Sequence, residues 1–325
     1  MRVRLTHTTL VALLLASIPL SFAPGCNATA PRTTFETGGN GGADPSGPGG
    51  QGSGGEGGTV FTVGAGGGGG SGNAGSGADP TTCAEAATYR TYIGCDFWPT
   101  PVSNTVWSIF DFAVVVANAG DQPADVTVTR GGVPVAMATV APNDLTKIYL
   151  PWIPELKGGD FDACVYVPPP LTSSLRVTNG AYHLVTSRPV TVYQFNALEY
   201  GPQGGAPGKD WSTCPAQFCP GVPCLSFSND ASLLLPSTAM TGNYRVASYK
   251  GWANATMGAY FAITGTQNGT NVQVKVSGNG QILGGNGIPA SGGSGLVNFA
   301  LSEGEVVEVI NGAAADPAGS LVYAD

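Results

Sequence analysis

Phe112-Ala-Val-Val-Val-Ala117, the break Asn118-Ala-Gly120, then Val126-Thr-Val-Thr129 and the turn Arg130-Gly-Gly132 decide the fold class of this chain. Six nearly continuous apolar residues, bounded by a turn, read as a strand covered on both faces. Val126 and Val128 alternate with Thr127 and Thr129, the period of a half-buried strand. Working outward, Val133 to Val140 continues the pattern, Pro142-Asn143 makes a turn, and Leu145 to Leu150 follows. Downstream, Val190-Thr-Val-Tyr-Gln-Phe195 forms a further strand just after Arg188-Pro189. No stretch of a dozen residues holds a 3.6-residue period without Gly or Pro, so helix is minor, a turn near Cys83 to Tyr89. Short strands at regular spacing predict an all-β fold of sandwich type.

An internal repeat divides that fold into two related β-sandwich-like modules. Phe112-Ala-Val-Val with Val126-Thr-Val-Thr matches Phe261-Ala-Ile-Thr with Val272-Gln-Val-Lys-Val276. Pro142-Asn-Asp-Leu-Thr-Lys-Ile matches Glu303-Gly-Glu-Val-Val-Glu-Val309, and Val185-Thr-Ser-Arg188 matches Val322-Tyr-Ala-Asp325. The first copy runs on into a strand after Pro189. A complete second copy is therefore expected to need about eight residues beyond Asp325, reading Pro-Val-x-Val-aromatic, and to have an unpaired sheet edge without them.

The N-terminal quarter has a different character. Arg2 and Arg4 precede an apolar stretch from Thr9 to Phe22, and small residues lead to Cys26. A basic start, a short apolar run and small residues before a cut site predict a secretory signal, residues 1–25, and not a membrane span. With Cys26 at the cut, the segment resembles a bacterial lipoprotein signal, which implies lipidation of Cys26. Asn27 in place of Asp after that cysteine points to the outer membrane, by resemblance to known sorting behaviour. Residues 26–80 are dominated by Gly, Ser, Asn, Ala and Pro, a composition that predicts a disordered tether. About 53 residues of such chain have an r.m.s. span of roughly 40 Å. Residues 81–200 form the expected first β module; 201–325 hold a disulfide-bonded loop and the second, incomplete module.

Without the leader, 11 basic side chains face 21 acidic ones, a net charge of −10. An acidic surface with no basic tract disfavours nucleic-acid binding. Six cysteines remain after Cys26: Cys83, Cys95, Cys164, Cys214, Cys219 and Cys224. An even number in an exported chain predicts three disulfides, drawn from about fifteen possible pairings. Short loops favour Cys83 with Cys95, and Cys164 with one of the three between Cys214 and Cys224. The cysteine spacings are not those of zinc sites, and His183 is the one histidine outside the leader, so no metal or other cofactor is expected.

Three phrases carry a resemblance: Ile93-Gly-Cys-Asp-Phe-Trp98, Val190-Thr-Val-Tyr-Gln-Phe-Asn196 and Ser228-Asn-Asp-Ala-Ser-Leu-Leu-Leu-Pro236. Together with the repeated turn-strand units, residues from about Cys83 to Asp325 resemble the N-terminal domain family of the IgG Fc-binding protein of mucus. Similar domains occur in bacterial, myxobacterial-type lipoproteins behind Gly-rich linkers. The resemblance implies a secreted, disulfide-bonded, all-β module of extracellular binding, and it supplies no catalytic residues.

The residues themselves nominate little chemistry. A Ser-His-Asp arrangement would have to use His183, and no Gly-x-Ser-x-Gly elbow offers a nucleophile. Asp160 and Asp162 in Gly-Gly-Asp-Phe-Asp read as a polar turn, far short of the six to eight oxygens calcium requires. Glu303, Glu305 and Glu308 form an acidic cluster, with Glu305 and Glu308 on opposite strand faces, and read as a solvated edge. Trp152 follows Pro151, and Trp211 lies in the Gly/Pro-rich loop from Gly201 to Thr213; as loop aromatics they are the candidate contacts for a glycan or protein ligand. The expectation is a non-enzymatic, lipid-anchored cell-surface protein acting in adhesion or ligand binding, its sole membrane contact the lipid. The alternatives are a structural envelope protein and, further off, a hydrolase.

Overall fold

The structure, a computed structural model, describes residues 79–162, 164, 169–219, 221–227, 230–253 and 257–325. Cys26 and nearly all of the predicted tether lie outside the described residues. The fold is mostly antiparallel β. Helix α1 (Cys83–Tyr89) sits where the sequence places it, opened by a capping box between Thr82 and Glu85. Strands β1 (Gly94–Phe97), β2 (Phe112–Asn118), β3 (Ala124–Arg130), β4 (Val133–Val140) and β5 (Asp144–Leu150) follow. After α2 (Pro154–Lys157) come β6 (Leu175–Val177), β7 (His183–Asn196) and β8 (Ala231–Leu233), then β9 (Asn243–Arg245), β10 (Tyr260–Thr264) and β11 (Thr270–Lys275). Strands β12 (Leu296–Leu301), β13 (Val306–Ile310) and β14 (Leu321–Ala324) complete the order.

The first module is a sheet folded over on one strand. The order is β4-β3-β7-β2-β5, with β1 and β8 also pairing with β7. The first half of β7 lies between β1 and β3, and the second half between β2 and β8. Pro189 sits at the change-over, where neither ladder requires its missing N–H. Phe112, Val114, Val116, Val126, Val128, Leu184 and Val192 meet between the two halves, each at most 1% exposed. The run Phe112 to Ala117 is thus inner and largely covered on both faces, as its composition dictates.

The second module stacks a three-stranded sheet, β10-β13-β6, on a four-stranded one, β12-β11-β14-β9. Its core joins Val272, Val274, Val297, Leu301, Val307, Val309 and Val322. Strands cross the 200/201 division in both directions. β6 pairs with β13, while β8 pairs with β7. Residues on opposite faces of β13 serve different cores: Val307 and Val309 enter the second, and Val306 the first.

That placement corrects the reading of the acidic cluster as a solvated edge. β13 is buried along its whole length, and Glu308 is fully enclosed. Glu305, also buried, pairs with Arg176 of β6 at 3.2 Å. Opposite-face parity holds, but both faces meet protein. The repeat also needs a shift of one residue. Val126 pairs with Thr186 and Val272 with Ala324, so Leu184, not Val185, is the counterpart of Val322. Burial agrees, since Leu184 and Val322 are buried while Val185 is 41% exposed.

Candidate functional site

An apolar groove of about 580 Å³ opens between the two sheets of the second module. β10 forms one wall through Phe261, Ile263 and Thr264; Val322 and Ala324 of β14, with Val272 and Leu301, form the floor. The rim carries Leu235, Met240 and Tyr244, which are 45%, 38% and 45% exposed. Exposed large apolar groups gathered around one concavity are the usual mark of a binding surface. Gly242 permits the arrangement. A Cβ there would lie 2.0 Å from the carbonyl oxygen of Ala324, whose own N–H donates to Gly242 O at 2.7 Å.

Trp98 closes one end of the groove, and behind it lies the histidine the sequence singled out. The His183 ring stacks on Trp98 at 4.2 Å between centroids and 5° between planes. His183 Nε2 is 3.0 Å from Asp96 Oδ2. The hydrogen bond to Asp96 raises the His183 pKa above its usual value, against a smaller opposing effect of burial. Burial works to raise the Asp96 pKa, but hydrogen bonds from His183 and Ser237 outweigh it and hold the carboxyl below its ordinary range. A serine-protease-type relay needs histidine between serine and aspartate. Here aspartate lies between histidine and Ser237, an order suited to pinning Trp98 and not to activating a nucleophile. The charged pair contributes stability below pH 6.5, and this is lost as pH rises through the raised His183 value. In an NMR titration His183 is expected to titrate above 6.5 and to move down in Asp96→Asn. An unshifted titration would show that the pair does not form.

The predicted contacts Trp152 and Trp211 lie away from this groove, and both are partly buried. The Trp152 indole N–H donates to Phe110 O at 2.7 Å, and its ring packs on Phe112 at 5.6 Å. Trp211 donates to Gly204 O at 3.1 Å, tilts on Phe110 at 5.2 Å and lies under the Lys209 ammonium at 5.2 Å. Both indoles hold loops to the first module. The most exposed tryptophan is Trp252, at 63%, three residues from Tyr249 at 76%. Sequence spacing gave no signal for either. Tyr244 and Met240 were equally silent, because they gain meaning only where β9 meets β14.

The cysteines pair Cys83–Cys95, Cys164–Cys219 and Cys214–Cys224. The first fastens α1 to β1; the others tie the long loop after β7 around Trp107 and Phe110. Asp160 accepts hydrogen bonds from Ser108 N at 2.9 Å and from the buried Lys157 ammonium, and Asp162 caps Cys164 N at 2.8 Å, so this turn is internally satisfied. Among the described residues no group of three His, Cys, Asp or Glu side chains is placed to hold a metal ion. Likewise no described helix is long and apolar enough to cross a membrane.

Fold and groove together define a disulfide-bonded, all-β module with an apolar cleft. Residues 230–325 match the family of the IgGFc binding protein. The match covers less than a third of the chain, narrower than the sequence resemblance from Cys83 onward, and takes in all but the first two residues of the phrase Ser228 to Pro236. Every residue lining the groove except Trp98 falls inside it. No curated protein matches the chain.

Proposed function

We propose that this chain is an exported binding protein whose groove recognises an extracellular protein ligand, held at the cell surface by lipid on Cys26 and spaced from it by the glycine-rich tether. The observation that carries the reading is the coincidence of the groove with the segment similar to an immunoglobulin-binding family. The wide, half-exposed rim of Leu235, Met240 and Tyr244 suits a protein surface more than a small molecule. An immunoglobulin Fc region is one ligand to try; fold alone does not choose it. Adhesion follows from display on a tether.

The chain, screened against immunoglobulin Fc, mucins, glycans and envelope fractions, is expected to bind one of the protein ligands saturably. Tyr244→Ala with Met240→Ala should weaken that binding by about tenfold or more, the scale of a buried anchor. Trp252→Ala reports whether the exposed aromatic pair extends the contact. In cells, labelled palmitate should enter the protein and be lost in Cys26→Ala. Absence of all binding by oxidised, folded protein would sink the recognition reading.

A further inference from the structure

Asp111 and Glu199 of the first module each hold a buried carboxylate oxygen that no other group satisfies, and both side chains converge on Tyr149. Asp111 directly precedes β2, and Glu199 comes three residues after the end of β7. Tyr149 of β5 lies opposite Ala113 of β2, which in turn lies opposite Phe195 of β7. The three strands therefore bring Asp111, Tyr149 and Glu199 to one end of the sheet. The backbone ties that end together, since Leu198 N–H donates to Asp111 O at 2.9 Å.

The side chains meet there. The Tyr149 hydroxyl donates a hydrogen bond to the Glu199 carboxylate and lies in the field of the Asp111 charge. The loop from Gly201 to Thr213 reaches the same place. Its Gly205 N–H donates to the Tyr149 hydroxyl, and a Cβ at Gly205 would lie 3.3 Å from Asp111 Oδ2. Lys209 of this loop binds Asp111 Oδ1 at 2.7 Å. Glu199 is 8% exposed, and its Oε2, like Asp111 Oδ2, is enclosed with no hydrogen-bond partner among the described residues.

Two carboxylates against one ammonium leave one negative charge in excess at an enclosed place. Such a charge is costly unless a cation offsets it. We propose that Asp111 Oδ2, Glu199 Oε2 and the Tyr149 hydroxyl oxygen form a binding site for one hard metal cation, its shell completed by water. Donors that are all oxygen suit ions of the Na+, Mg2+ and Ca2+ type and not thiophilic metals. Na+ balances the excess with Lys209 kept on Asp111, and Ca2+ balances it once Lys209 lets go. Either ion fastens to the sheet a loop that carries Trp211 and lies between Cys164 and Cys219.

The probes are CaCl2, MgCl2 and NaCl, each titrated by calorimetry into the full chain, stripped with EDTA and held in choline chloride at constant ionic strength. Saturable one-to-one binding of one of these ions is expected. Glu199→Gln keeps the shape and removes a ligand charge, so it should weaken binding more than about tenfold. Lys209→Met should tighten binding, because it raises the negative excess from one charge to two. Asp210→Asn should leave the affinity unchanged, since that carboxylate bonds to Ser212 N in the same loop. Circular dichroism checks that each variant is folded; if Glu199→Gln is not, Lys209→Met and Tyr149→Phe carry the test, the latter weakening binding through loss of one neutral oxygen. No saturable binding of any ion, equal effects of all three salts, or wild-type affinity in Glu199→Gln would each overturn the proposal. So would weaker binding in Lys209→Met.

Discussion

Glu308→Gln is expected to remove a large pH dependence from folding and to stabilise the protein at pH 8. Glu308 is fully enclosed on β13, on the face turned to the first module. Its Oε1 accepts a hydrogen bond from Ser103 N at 2.6 Å, and its Oε2 has no hydrogen-bond partner among the described residues. Tyr260, whose hydroxyl donates to Ser103 O, is itself pushed up by burial and by the charges of Glu308 and Asp230. Desolvation raises the Glu308 carboxyl from 4.5 to about 8, and the Ser103 hydrogen bond recovers only part of that. Between these values the folded protein holds a proton that the unfolded chain releases. The contribution of neutral Glu308 is thus complete below pH 4.5 and is lost as pH rises through about 8. The slope approaches ~1.4 kcal/mol per pH unit for one proton. Glutamine keeps the shape and cannot ionise. Urea unfolding of both proteins across this range should give curves that diverge upward in pH. Parallel curves would mean that the carboxyl reaches water.

Trp107→Ala should cost about 3–5 kcal/mol, the range for emptying a large aromatic site. Trp107 is fully buried in a small cluster with Val106, Phe110, Ala197, Cys214 and Ala216. It stacks on Phe161 at 4.9 Å and meets Phe227 edge-on at 6.3 Å. Its indole N–H donates to Phe161 O at 3.2 Å, so truncation removes a donor as well as volume. Trp107→Phe should recover much of the loss by refilling the site. A cost below about 1 kcal/mol in chemical denaturation would show that the two disulfides, and not the indole, hold this loop.

Local patterns made much of the fold legible. The run at Phe112, the alternation at Val126 and the Gly131-Gly132 turn, both glycines at positive φ, translate directly into β2, β3 and the hairpin to β4. Cys83 to Tyr89 is a helix because Thr82 and Glu85 cap it. What could not be read depends on partners far along the chain. β6 is three residues with no signal of its own, defined by pairing with β13. β7 runs through Pro189, which local rules treat as a break. Glu308 looks solvated until its strand is seen between two cores. The groove follows the same logic: no local pattern pointed to Met240 and Tyr244 on its rim.

The reach of β13 also sets an order of assembly for the two cores. β6 ends at Val177, and its first partner residue is Val306, 129 residues later. Val306 belongs to the core built mainly from the first module, so that core also stays unfinished until then. Until β13 docks, the first core lacks Val306. Closure of the first core therefore waits on a strand of the second module.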